Sequence, residues 1–380
     1  MWNYAMAGEL ARQGHEVTVV AARHQTAAAA THRAGARIVR LLARDFSRWR
    51  RLPALGRYAR FVTQMAYAAQ VNQTLRALYR QRPFDVVEFA EVNAEGYFYA
   101  RKPPATVVVR CHTPNFVLRR YYTRREMPFD TARIGACEQD LIRRARALTA
   151  PSHDMARVIE AECSLSPSVV RVIPNALNLG ELPAFTETPV SAEPIILHVG
   201  RLERVKGVEV LVAAIPAVLQ QIPAARFVFV GADRHAATGG SQRAALETAL
   251  QAAGARDQVI FTGEVEQTAL WEWYARASVC VVPSMLYESF SYTCAQAMAL
   301  GKPLVATRIG GIPETVGDGG LIVEPGDPVS LAATLTRLLR DPALCQQLGR
   351  AARAKAERDF AAPVVAQQVL AVYQQALSGA

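Results

Sequence analysis

Short apolar runs of four to six residues, dominated by Val, Ile, Leu and Phe, alternate along this chain with longer segments whose apolar positions recur every three to four residues. Runs that are apolar throughout read as strands buried on both faces, and the helix-period segments between them as their covers. The pattern predicts parallel sheets wrapped by helices, an α/β fold. In the first half, strands are expected at residues 16–21, 36–41, 85–89, 106–110, 147–150 and 169–173. The stretch from Pro183 to Pro194, rich in proline, threonine and glutamate, lacks periodicity and reads as a linker. Beyond it the alternation restarts, with strands expected at 195–199, 226–230, 259–261, 279–282, 303–306 and 320–323. Two doubly wound, Rossmann-like domains follow, at 1–183 and 195–362, with a linker at 184–194 and a last helical segment at 363–380. Ligands of such sheets bind at the carboxyl ends of strands, so the two lobes are expected to act in a cleft between them.

The chain opens with a helix pattern over residues 1–13, closed by Gly14 as a C-terminal cap. An ordinary doubly wound domain starts instead with a strand and a glycine-rich turn. The expectation is that the first strand of the N-terminal domain is missing, through truncation or a misassigned start. Loss of a central strand would leave ladder groups unpaired on its neighbours, which is costly inside a sheet.

At 380 residues the chain is long enough for two domains at roughly 150 each. Apolar residues make up 51% and charged residues 20%, a balance that excludes intrinsic disorder. No run reaches the ~18 apolar residues of a membrane span, and no signal peptide is recognisable. A cytoplasmic protein is expected. The six cysteines are scattered, so buried reduced thiols are expected rather than a zinc or redox motif. The net charge of +10 concentrates in the first half, over 44–51 with Arg57 and Arg60, and over 119–125. Nucleic-acid signatures are absent. A solvated basic face or a peripheral contact with an anionic membrane surface remains, and the membrane is the preferred functional reading.

Candidate chemistry lies at two strand ends of the second half. The strand at 195–199 runs into Gly200-Arg-Leu-Glu-Arg-Val-Lys-Gly207 and then a helical run. A glycine lets backbone approach a ligand, while Arg201 and Lys206 flank a loop that feeds a helix N-terminus, where anions are favoured. That combination suits a diphosphate without a metal. The second constellation begins at Pro283 and ends at Pro303. Ser291 is placed to cap a helix from Tyr292 to Leu300, so the amides of Ser289, Phe290 and Ser291 would point at an incoming phosphate. Glu288 in the preceding loop would accept hydrogen bonds from sugar hydroxyls, and Gln296 sits further along the helix.

The segments Gly200-Arg-Leu-x-x-x-Lys-Gly207 and Glu288-x7-Gln296-Ala-Met-Ala-x-Gly-x-Pro303, in that order, resemble the retaining nucleotide-sugar glycosyltransferases of GT-B fold, specifically glycosyltransferase family 4. Supporting stretches are Leu10 to Val17, Val172 to Asn175, Phe229 to Gly231, Phe261 to Gly263 and Gly310 to Glu314, so nearly the whole chain is covered. The resemblance implies GT-B architecture, with an acceptor-side first domain, a donor-side second domain and a last helix that crosses back to the first. It also implies that Arg201 and Lys206 hold the donor diphosphate, that Glu288 binds the transferred sugar and that His112 contacts the sugar near the reacting centre. Gly263 would lie beside the nucleotide base, while Glu314 reads as a helix N-terminal residue.

Two departures stand out. Gln296 occupies the place of a family glutamate expected to bind the ribose, and the glycine-rich loop expected before the first helix is not in the chain. The implied reaction is departure of the diphosphate, with front-face attack by the acceptor hydroxyl, no cofactor and no metal. Competing expectations are a non-catalytic nucleotide-sugar sensor or partner subunit, and a nucleotide-sugar epimerase or hydrolase.

Overall fold

The computed structural model describes residues 2–22, 30–42, 56–121, 128–183, 191–234 and 240–379. The arginine-rich segment at 44–51, residues 122–125 of the second basic segment and the greater part of the linker lie outside the described residues. Contacts divide the chain into two compact units, Met1–Ala176 with Ala362–Ala380, and Leu177–Ala361.

In the first unit, α1 (Trp2–Arg12) leads into β1 (Thr18–Ala22), β2 (Ala30–Arg33) and β3 (Ala36–Leu41). These three form one sheet in the order β1-β3-β2, with β1 parallel and β2 antiparallel to β3. Helix α2 (Ala59–Gln81) precedes β4 (Val86–Ala90) and β5 (Thr106–Arg110); α3 (Asn115–Leu118) and α4 (Thr131–Arg144) then lead to β6 (Ala147–Ala150), α5 (His153–Glu162) and β7 (Val170–Val172). β4 to β7 make a second, wholly parallel sheet in chain order. Among the described residues the strands thus fall into two sheets, not one continuous doubly wound sheet. β1 and β4 each lie at a sheet edge, and an ion pair between Arg82 and Glu16 (2.6 Å) links the segments that lead into them. β2 escaped the hydrophobic pattern because it reads Ala-Thr-His-Arg and has no apolar run.

The last helix, α13 (Ala362–Ser378), belongs to this unit. Its Ala362, Val365, Ala366 and Val369 are buried in one cluster with Met6 and Leu10 of α1, Val108 of β5 and Ile173. The Tyr373 hydroxyl also donates to Glu88 Oε2 on β4 (3.1 Å). Spaced at i, i+3, i+4 and i+7, the buried residues define one helical stripe, which explains why a segment with almost no charge stays helical and folds back.

The second unit carries one six-stranded parallel sheet. Its strands are β8 (Ile195–Val199), β9 (Arg226–Val230), β10 (Val259–Gly263), β11 (Val279–Val282), β12 (Leu304–Thr307) and β13 (Gly320–Val323), in the order β10-β9-β8-β11-β12-β13. The direction of strand addition reverses between β8 and β11, the switch point at which doubly wound sheets bind ligands. Helices α6 (Val208–Gln221), α7 (Gln242–Ala252), α8 (Gln267–Arg276), α9 (Tyr292–Ala299), α10 (Ile312–Val316), α11 (Pro328–Arg340) and α12 (Pro342–Lys355) cover the two faces. One core cluster joins α6 and α11 to the sheet through residues such as Leu211, Ile215, Phe227 and Leu335; the other joins α9 through Leu197, Cys294 and Met298. All six cysteines are buried and unpaired, as the scattered spacing suggested.

Candidate functional site

The two loops singled out by sequence meet at the switch point. From the end of β8, Gly200, Arg201, Leu202 and Glu203 lead to a short turn at Arg204–Lys206 and then to Gly207, which opens α6. Gly207 has φ 70°, and a Cβ there would stand 1.7 Å from the Pro283 carbonyl oxygen. No other residue lets the loop lie this close to the chain leaving β11. The Met285 amide donates to the Val205 carbonyl (2.9 Å), which ties the two loops together.

Across this junction Lys206 Nζ donates to Glu288 Oε1 at 2.6 Å, and Ser284 Oγ donates to the same oxygen at 2.6 Å. The lysine side chain is 28% exposed and the glutamate 15%, so an incoming ligand can reach both. The pair is only partly solvated, so deleting one member would strand a charge, whereas a charged ligand can take that member's place. Its position, rather than its contribution to folding, is what calls for explanation. Glu288 is also fixed through its backbone. Its carbonyl accepts from the Gly311 amide (2.8 Å), and at Gly310, with φ 53°, a Cβ would sit 2.4 Å from that carbonyl oxygen. The first glycine of the 310–314 segment therefore has a steric reason.

Ser291 caps α9 as expected, its hydroxyl accepting from the Cys294 amide (3.4 Å). Ser289 and Ser291 are buried, and Phe290 packs edge-on against Phe360 and Tyr292. Thr293 Oγ1 reaches the Val199 carbonyl at the end of β8 (3.4 Å), which holds the start of α9 beside the Gly200–Gly207 loop. Arg201 lies on that loop but turns to Glu203, with Nη1 2.8 Å from Oε1, and it is 53% exposed. Arg234 approaches the same carboxylate at 3.9 Å. Glu203, which sequence reasoning passed over, thus holds the guanidinium that was expected to grip an anion unaided. Gln296 is half-buried on α9. Gly263 ends β10 at φ 74°, and its carbonyl accepts from the Gly231 amide (2.9 Å). The Gly200 amide in turn donates to Val230 (2.9 Å), so glycines step across three adjacent strand ends. Glu314 stands in the first turn of α10, the helix-terminal place expected of it.

His112 follows β5 in the first unit and is half-buried. Burial first, and the Arg110 guanidinium second, push its imidazole down to about 3. At neutral pH it is an uncharged hydrogen-bonding group, not a proton donor of imidazolium type. Its backbone amide donates to Glu91 Oε2 (2.8 Å), a carboxyl that no sequence motif marks. Arg60, counted among the basic surface candidates, is spent inside the unit instead: its guanidinium donates to Asn115 Oδ1 (2.8 Å) and Thr131 Oγ1 (3.1 Å).

Residues 185–355 match the family model described as Glycosyl transferases group 1, and residues 2–181 match that described as Glycosyltransferase Family 4. The chain belongs to the GT4-like group 1 glycosyltransferases. It is 31% identical over 248 residues to a glycogen synthase of Mycobacterium tuberculosis, covering 65% of this chain and 58% of that protein. Over 275 residues it is 30% identical to a D-inositol 3-phosphate glycosyltransferase of Nocardiopsis dassonvillei, covering 68% of this chain and 62% of that protein. The matched stretches thus span about six-tenths of those relatives' lengths. Among solved structures, a sucrose-phosphate synthase from Thermosynechococcus elongatus superposes with a TM-score of 0.79 at 25% identity, over 99% of this chain and 92% of that one. Anabaena HepE in complex with UDP shares the fold, with a TM-score of 0.70 at 17% identity, over 95% of this chain and all of that one. The fold is the two-domain GT-B architecture.

Within this group 1 glycosyltransferase, the residues that sequence reasoning missed carry no motif of their own and are marked only by where they stand in the chain. Ser284 lies four residues before Glu288, inside the same loop, and Glu203 lies between the two expected cations. Glu91 directly follows the apolar strand β4, as Cys111 and His112 follow β5. No helix among the described residues is long and apolar enough to cross a membrane.

Proposed function

We propose that this protein transfers a sugar from a nucleotide-diphosphate donor to an acceptor hydroxyl with retention of anomeric configuration, in the synthesis of a glycan or glycolipid. The observation that carries the reading is the Lys206–Glu288 contact at the β8/β11 switch point, beside the N-terminus of α9. A cation and a carboxylate held side by side suit a sugar diphosphate, because the phosphates need positive charge and the sugar hydroxyls need an acceptor. Lys206 would exchange part of its contact with Glu288 for the diphosphate, and Arg201 would leave Glu203 to do the same. The amides of Ser289, Phe290 and Ser291 would add the dipole of α9 to this charge. Both side-chain bonds of Glu288 fall on Oε1, so Oε2 is the oxygen assigned to sugar hydroxyls. Gln296 would meet the ribose, Gly263 the base and the neutral imidazole of His112 the sugar near the reacting carbon. As the diphosphate leaves, fixed cations and amides stabilise the growing charge without reorganising, which is the usual source of rate in such a site. The acceptor attacks from the face the diphosphate leaves. With these cations in place the donor is proposed to bind without a metal, so chelation should leave affinity unchanged.

The test combines calorimetry with nucleoside diphosphates and a donor-consumption assay run with and without candidate acceptors. Nucleotide release that depends on acceptor, with the product keeping the donor's anomeric configuration, supports transfer. Tight nucleotide binding without turnover on any acceptor would favour the second reading, a nucleotide-sugar sensor or partner subunit, which Gln296 motivates.

A peripheral contact with anionic membranes is proposed for the first unit. Its support is an exposed cluster in which Arg57 and Arg133 lie over the rings of Tyr58 and Phe129, the latter 59% exposed. Vesicles containing an anionic lipid should retain the wild-type protein and release an Arg57→Ala/Arg133→Ala double variant; equal retention counts against the contact.

A further inference from the structure

Two glutamates in the first unit are wholly buried at the carboxyl ends of its parallel strands. Glu91 follows β4, Glu138 projects from α4, and both are 0% exposed. Glu138 accepts three hydrogen bonds: from the Asn93 amide (2.8 Å) and Asn115 Nδ2 (2.6 Å) on Oε1, and from the Asn115 amide (2.8 Å) on Oε2. Glu91 Oε2 accepts from the His112 amide at 2.8 Å. Between them, these two carboxyls bind the loop after β4 to the loop after β5. The first of these loops is strained, since Asn93 and Ala94 take left-handed φ values of 62° and 53° without being glycine. Each such residue costs on the order of 1 kcal/mol, and strain of this kind persists where surrounding structure enforces it.

Glu91 is the more informative of the two. Its Oε1 is buried with no hydrogen-bond partner among the described residues. A charged carboxylate in that position would be strongly disfavoured. Burial pushes Glu91 up to about 8, partly opposed by the His112 amide and reinforced by Glu138 nearby. The group is therefore a neutral acid whose hydrogen-bond donors are backbone amides, that of His112 foremost. It adds no charge to the region. What an apolar side chain cannot do is accept from the His112 N–H.

We propose that Glu91 is a positioning residue that fixes the backbone at His112, and through it the imidazole, in the place sugar transfer requires. The inference rests on the transfer reading for its catalytic consequence but not for its geometry. A buried neutral carboxyl serves better than a carboxylate here because it anchors the loop without placing a negative charge beside His112 or holding a proton on its imidazole.

The experiment compares wild type with Glu91→Leu and Glu91→Gln. Glu91→Gln keeps a carbonyl oxygen for the His112 amide and is expected to keep kcat within about threefold. Glu91→Leu is expected to lower kcat about 30-fold or more while leaving donor KM and nucleoside diphosphate affinity within about twofold. Amide exchange, followed by NMR on the same proteins without substrate, should show His112 protected in wild type and Glu91→Gln and unprotected in Glu91→Leu. An unchanged kcat in Glu91→Leu, a loss shared equally by donor KM, or equal His112 protection in all three proteins overturns the proposal. Should wild type itself turn over no donor, the transfer reading fails, and the exchange measurement alone decides whether Glu91 positions His112. If Glu91→Leu does not fold, failure of Glu91→Gln to keep wild-type His112 protection overturns it.

Discussion

The strand ends of the two units hold their polar residues by opposite means. In the second unit, charges are matched in pairs near the surface: Lys206 with Glu288, Arg201 with Glu203. In the first unit, carboxyls are buried and take backbone and amide donors in place of cations: Glu91 with the His112 amide, Glu138 with Asn93 and Asn115. Ion pairs that solvent still reaches can exchange one partner for a charged ligand. A buried carboxyl that loses its donors leaves unsatisfied oxygens, so it keeps its shape. The second unit thus keeps its charges where a charged partner could reach them, and the first ties two loops together.

Two glycines give the sharpest way to break that contrast. Gly207→Ala would force a Cβ against the Pro283 carbonyl at a backbone angle unfavourable to alanine. Chemical denaturation should show the second unit destabilised by about 4 kcal/mol or more, the size expected when backbone strain and overlap combine. Gly14, which follows α1 at φ 90°, has open space where a Cβ would stand, with no atom within 4 Å. Gly14→Ala should therefore cost only about 1 kcal/mol, from the left-handed backbone alone. Equal losses at the two positions would show that the Gly200–Gly207 loop is not held against the β11 loop.

Next in size is the effect on donor use. Removing a preorganised cation from a site of developing negative charge costs roughly 100- to 1,000-fold in rate. Lys206→Ala should lower kcat/KM for the donor by that amount and weaken nucleoside diphosphate affinity, measured by steady-state kinetics and calorimetry. Arg201→Ala should show a smaller loss, since Arg201 is more exposed and already committed to Glu203. Full diphosphate affinity in both variants would remove the assignment of this loop to the donor.

The units should also respond differently to pH. Glu91 is raised to about 8, so between its unfolded value of about 4.5 and pH 8 the folded state holds a proton that the unfolded state has lost. Stability of the first unit should fall as pH rises through that window. His198, buried beside Val281 with its Nδ1 3.2 Å from the Val281 carbonyl, is pushed down to about 4 by burial. Between pH 4 and about 6.5 the unfolded state binds the extra proton, so the second unit should lose stability as pH falls. Each full proton is worth about 1.4 kcal/mol per pH unit. His112 adds an acid-side loss to the first unit, so the clean comparison lies between pH 6.5 and 8. There, strand amides of β4 and β5 should lose protection with rising pH, corrected for intrinsic exchange, while those of β8 and β11 should not. Glu91→Gln should flatten the first response. Identical slopes in the two units would show that these buried groups do not set them.

Much of this contrast could be read from the chain, and the parts that could not share a cause. Strands with uninterrupted β-branched or aromatic runs, such as β5 and β9, fall where periodicity put them because burial on both faces leaves little choice of residue. β2 was lost because it is short and polar, and the division of the first unit into two sheets is a matter of pairing that no local pattern encodes. Within the loops that follow β8 and β11, residue types announced their chemistry: Gly207 marked a close approach, Ser291 a cap and Lys206 a cation. Glu91, Glu138 and Glu203 were missed because a lone glutamate has no spacing to betray it. Its role depends on which amides and guanidinium groups the fold brings to it, and those come from residues 21, 23 and two positions away.

The smallest effect concerns Gln296, the neutral amide on α9 where the family resemblance leads one to expect a carboxylate. A glutamine offers a nucleotide ribose one neutral oxygen, whereas glutamate offers charged oxygens that accept more strongly from hydroxyls. Glu288 lies eight residues earlier and already pairs with Lys206, so a second carboxylate would also raise the negative charge near the diphosphate. The two terms oppose each other, and exposure decides between them. Gln296 is half-buried, which strengthens a direct hydrogen bond more than it strengthens repulsion from a partly exposed and neutralised Glu288. Gln296→Glu should therefore tighten nucleoside diphosphate binding by up to about tenfold, or about 1.4 kcal/mol, with little change in affinity for inorganic pyrophosphate, which has no ribose. Equal tightening for both ligands would place the effect on Lys206 rather than on the sugar of the nucleotide. Weaker binding of both would mean that the added charge repels the diphosphate, and that the donor side of this unit has settled on a neutral residue to keep its cations available.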